Sequence, residues 1–125
     1  MDMKALTGRV AGVLLAVWLS PALAHHSFAS FNMKALVDVK GTVKEFHYTN
    51  PHTWIVLESQ DASGKPIEVT VEANGPGYLV RTGWKRTTLM PGDVVTLTIH
   101  PMHDGSPGGS LVKVTFADGH ELIAH

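Results

Sequence analysis

The side chains most suited to chemistry in this sequence are its histidines. Eight occur among 125 residues, and none precedes position 25. Imidazole is the commonest protein metal ligand, and it titrates near neutral pH. His25 and His26 are adjacent. His47 and His52 bracket Tyr48 and Asn50, with Trp54 just beyond, and His100 and His103 flank Met102. A histidine with a free α-amine offers that amine and its Nδ1 as a chelating pair. Adding one more imidazole makes a planar, nitrogen-rich donor set of the kind Cu(II) prefers, and the soft thioether of Met102 suits Cu(I). Zinc is the second choice, because structural zinc sites usually recruit cysteine and the chain has none. The candidate metal ligands are therefore His25, His26, His52, His100 and His103. The candidate ligand-binding residues are His47, Tyr48, Asn50, Trp54 and Met102. No Ser–His–Asp order, phosphate loop or paired carboxylate stands out, so no catalytic residue is assigned and binding is expected rather than catalysis.

The chelating amine requires His25 to begin the mature chain. Upstream of it lie Lys4 and Arg9, the apolar run Val10–Leu19, the helix-breaking pair Ser20–Pro21, and small residues at Ala22 and Ala24. That order describes a secretory signal peptide. The run is shorter than the roughly 20 apolar residues that cross a bilayer. The expected organisation is a cleaved signal at 1–24, a lead-in at 25–35 and one folded domain at 36–125, in the periplasm or outside a bacterial cell. No membrane span should remain after cleavage. The net charge of −1 gives no field that would favour nucleic acid. With no cysteine, the exported chain must fold without disulfides.

The elements that must position these residues read as strands. From Leu36, Val37, Val39 and Val43 alternate with polar residues, with Gly41 predicted to mark a bulge or sharp coil and Phe46 falling on the other parity. A second strand is predicted at Thr53–Glu58, and a turn follows at Gln60–Lys65. The third strand, Ile67–Glu72, is predicted to turn Ile67, Val69 and Val71 inward and Glu68, Thr70 and Glu72 outward. Gly75–Pro76–Gly77 should introduce a short helix over Tyr78–Arg81 that ends at Gly83. Val94–Ile99 and Leu111–Phe116 read as strands four and five, separated by a loop running through Asp104–Gly109. Asp118–Gly119 should turn the chain into a short sixth strand at His120–Ile123. Three strands, a helix and two more strands is the order of an OB-like barrel: all-β, five-stranded, with one short helix between strands three and four. In that fold the loop after strand one and the loop after strand four share a rim. Histidines distant in sequence would thus converge, joined by His25 and His26 if the lead-in runs along strand one.

The start AHHSF, the stretch KGTVKEFHYTNPHTWIVLE, the PGD before strand four and the ending HPMHDGSPGGSLVKVTFADG resemble a widespread family of small exported bacterial proteins catalogued as a domain of unknown function. The resemblance covers nearly all of the expected mature chain. It implies export and no established activity, so function has to be argued from the residues. The first reading is a periplasmic copper-binding protein with His25 as leading ligand and a metal ion as partner. The alternative is an OB-fold module binding an extended polymer or another envelope protein through Tyr48, Trp54 and the two loops, its histidines incidental. A copper-dependent oxidative enzyme is the weaker third reading.

Overall fold

A computed structural model of the chain describes residues 28–125. The expected signal at 1–24, together with His25 and His26, lies outside the described residues. Six strands form: β1 (Val37–His47), β2 (Thr53–Gln60), β3 (Pro66–Ala73), β4 (Val94–Pro101), β5 (Gly108–Phe116) and β6 (Glu121–Ile123). Between β3 and β4 lies one helix, α1 (Pro76–Leu79), prolonged by a 3₁₀ turn over Val80–Thr82. The hydrogen-bonded order is β3-β2-β1-β4-β5-β6, and a pairing of β3 with β5 closes the first five into a barrel. That closing pair is parallel, while the other neighbours are antiparallel. The protein is an OB-like barrel with a short helix between strands three and four.

Barrel closure depends on β1 serving two neighbours. Its first half pairs with β4, from Val37↔Ile99 to Thr42↔Val94, and its second half with β2, from Thr42↔Glu58 to His47↔Trp54. Gly41 sits at the handover. A Cβ there would lie 2.5 Å from the Glu58 carbonyl oxygen, so only glycine lets the strands approach this closely. The bulge expected at Gly41 lies further on, where the register shifts between Val43 and Glu45. Lys44 is the extra residue, and it moves Phe46 to the other parity. Gly41 provides the close approach and Lys44 the extra length.

The inward rows meet in one core that includes Val43, Ile55, Leu57, Val71, Leu97 and Val114. Trp84 is fully buried beneath α1, and its indole Nε1–H donates to the Ile123 carbonyl at 2.8 Å. Tyr48 packs on this core rather than on the rim, its hydroxyl 3.3 Å from the Pro76 carbonyl oxygen. Helix α1 begins at Pro76, two residues before the expected start. Strand β5 also starts early, taking Gly108 and Gly109 from the expected loop. These residues pair in parallel with Thr70 and Val71, and a Cβ on them would lie 2.5 Å from the Thr70 carbonyl oxygen and 2.2 Å from that of His100. The glycines that read as loop residues are strand residues where backbones crowd.

The lead-in docks at the end of β4, so the condition set for His25 and His26 to join the rim, a course along strand one, is not met over residues 28–35. Phe31 is buried and bridges to Met102, Asn32 N–H donates to the Pro101 carbonyl at 2.8 Å, and His103 N–H donates to the Ser30 carbonyl at 3.0 Å. Among the described residues, no helix is long and apolar enough to cross a membrane.

Candidate functional site

Strand register brings Trp54, Glu72, Ser110 and His100 into one row across β2, β3, β5 and β4. Their chain neighbours Ile55, Val71, Leu111 and Ile99 are buried in the core, so by alternation the row faces outward. His52 falls on the same outward parity, two residues before Trp54. The lead-in covers this part of the wall. Between the two lies a cavity of about 260 Å³, lined by His52, Glu72, His100 and Ser110 on the polar side and by Phe28, Phe31 and Leu111 among the apolar ones.

The two histidines are held alike. The Nδ1 of His52 contacts Glu72 Oε1, and the Nδ1 of His100 lies 2.8 Å from the Ala35 carbonyl oxygen. Carboxylate and carbonyl oxygens accept, so each Nδ1 carries the proton and donates it. Each ring is thereby set in the tautomer whose lone pair is on Nε2. A histidine that binds metal through Nε2 commonly has this outer partner.

Glu72 departs from expectation. Its parity places it outward with Glu68 and Thr70, yet it is only 7% exposed, because β5 and the lead-in cover the wall at that end. Its Oε2 is buried and has no hydrogen-bond partner among the described residues. Alternation could not reveal this, since it assigns a face without saying what covers it. Ser110 and His125 also line the cavity and carried no mark in the sequence pattern, whereas Phe31, an expected anchor of the lead-in, is buried there.

The remaining candidates are dispersed. Trp54 and Met102, with Glu72, line a smaller adjoining cavity of about 130 Å³. His47 is the exposed last residue of β1, its Nε2 2.7 Å from Glu45 Oε2. Asn50 and His103 are exposed in their loops. His120, given no role, stacks on Phe116 with ring centroids 4.1 Å apart. Among the described residues, no group of three or more His, Cys, Asp or Glu side chains is placed to hold a metal ion.

A family model matches residues 13–112, a span that takes in this wall. The chain belongs to the family of unknown function DUF6152. The DUF6152 match takes in His52, Glu72, His100 and Ser110 and stops before His125. No curated protein matches the chain, and no solved structure does.

Proposed function

We propose that this is an exported, periplasmic metal-binding protein, with copper the preferred ion, whose site joins the wall histidines to the amino terminus of the mature chain. One observation supports it above the rest: His52 and His100 line the same cavity, each with Nδ1 donating to a fixed acceptor. Two imidazoles set to offer Nε2 are half of a four-nitrogen set. His25 would supply the other half through its α-amine and Nδ1, a combination that suits Cu(II). Phe28 lines the cavity, and three residues of extended chain reach about 10 Å, so His25 is within range of it. His26 and His103 stand as accessory ligands. The role is storage, delivery or tolerance of the metal.

The test is a calorimetric Cu(II) titration of protein beginning at His25, against protein with one residue added before it. The addition turns the amine into an amide and leaves every imidazole in place. Binding should weaken more than tenfold, about 1.4 kcal/mol or more. It should also weaken in His52→Ala and not in His120→Ala, and it should fall from pH 8 towards pH 5 as the donors take up protons. Equal affinity in the native and extended forms would overturn the reading.

A further inference from the structure

We infer that the cavity over Glu72 is a receptor for a protonated nitrogen: it takes a small ligand, or a chain end, with a primary ammonium head and an apolar body. This goes beyond the metal reading and rests on a different atom. The Glu72 carboxylate is more than nine-tenths buried, and its Oε1 is engaged by His52. Its Oε2 is buried with no partner among the described residues, and the Glu72 side chain lines the cavity. A buried carboxylate oxygen without a donor is a costly arrangement that native proteins rarely retain without a use. The cavity matches it in shape and chemistry. At about 260 Å³ it has the volume of roughly eight or nine waters at their liquid density, far more than one ion needs. The apolar half of the lining includes Phe28, Phe31, Leu111 and Val112, and Asn74, Ser110 and His125 join the two wall histidines and Glu72 on the polar half.

An ammonium group answers that demand directly. It brings three donors and a full charge to a carboxylate screened from water, where such hydrogen bonds are short and strong. Among the described residues, no Lys or Arg side chain lines the cavity. Phe28 and Phe31, which line the cavity, add apolar surface for the ligand's body. The same chemistry can come from two sources. One is a free small amine. The other is the amino terminus of this chain once the leader is removed, since Phe28 at the cavity is three residues from His25.

The experiment uses protein beginning at His25, native and Nα-acetylated, stripped of metal and kept in chelator so that metal binding cannot contribute. The probe is n-butylammonium, with butan-1-ol as its uncharged counterpart, titrated by calorimetry. The ammonium should bind at least tenfold more tightly than the alcohol, and Glu72→Gln should remove that preference with little change in melting temperature. Binding to both forms identifies a free amine as the occupant. Binding to the acetylated form alone identifies the chain's own terminus. Equal binding of alcohol and ammonium, an unchanged preference in Glu72→Gln, or no binding to either form overturns the inference. The alcohol comparison is made on unaltered side chains and decides the matter even if Glu72→Gln loses its fold. Failure of the copper titration would leave this result untouched.

Discussion

Two buried oxygens in this protein have no hydrogen-bond partner among the described residues, Thr53 Oγ1 and Glu72 Oε2, and their surroundings give them opposite meanings. Thr53 is fully buried on β2, on the inward parity shared with Ile55 and Leu57. Its hydroxyl has been taken out of water with nothing in return. Glu72 faces a cavity with room for a donor. Thr53→Val keeps the branched shape and removes the orphan hydroxyl, so it should stabilise the fold by about 1 kcal/mol or more. The urea midpoint would show this as a rise at unchanged slope. A lower midpoint would mean that the hydroxyl has a use in the folded state. The two orphans together separate a packing cost from a binding group.

At the scale of elements, the turns are held by short acidic side chains. In the β2–β3 turn, Asp61 Oδ1 accepts from the Ser63 hydroxyl at 2.6 Å, and from the Ser63 and Lys65 N–H groups at 2.9 Å each. The Ser63 hydroxyl and then the Lys65 N–H hold its carboxyl below the ordinary value of 3.8. The β5–β6 turn repeats the device, with the His120 N–H and ring lowering Asp118. A carboxyl whose folded pKa is depressed stabilises the fold above its unfolded pKa, and that stability is lost as pH falls through the folded value. The melting temperature of the native protein should therefore exceed that of Asp61→Ala at pH 6. The gap should close as pH drops below 3.8 and through the depressed value. A gap that does not change with pH would show that the turn relies on shape rather than on the charge. Asp61 sits in a surface turn and is only partly covered, so the effect is local and modest.

For the molecule as a whole, the decisive contact is the parallel pairing of β3 with β5. It joins residues nearly forty positions apart, Thr70↔Gly108 through Glu72↔Ser110, and it both closes the barrel and builds the polar row of the cavity. Gly109 stands where β5 is held between β3 and β4. Gly109→Ala would force a Cβ to within 2.2 Å of the His100 carbonyl oxygen. It should destabilise the fold by about 1–3 kcal/mol, the usual cost of overpacking, read as a lower midpoint in denaturant. Gly77→Ala in α1, where nothing lies within 4 Å, should be neutral or raise stability by up to about 1 kcal/mol. Equal effects of the two changes would mean that closure is looser than the packing indicates.

Alternation along the chain was enough to determine the strands, most of their inward rows, the helix between the third and fourth and, through that order, the OB-like barrel. Val37, read with the inward row of β1, is instead exposed. The inward set Ile67, Val69 and Val71 reads directly from a period of two, because a pleated strand can bury one face only by that pattern. The barrel order then grouped His52 with His100 through the loops after strands one and four, and the two line one cavity. It could not locate the bulge, since Gly41 and Lys44 both disturb the pattern and only pairing tells a close approach from an extra residue. It could not assign Gly108 and Gly109 to a strand, because a glycine selected by a crowded backbone looks the same in sequence as one selected by a turn. Nor could it show that Glu72 is buried. Periodicity separates the two faces of a strand, but what covers the outer face depends on β5 arriving from far along the chain and on Phe31 docking at the end of β4. The candidate site lies on that outer face, under that cover, so only the tertiary structure could turn an outward glutamate into its central group.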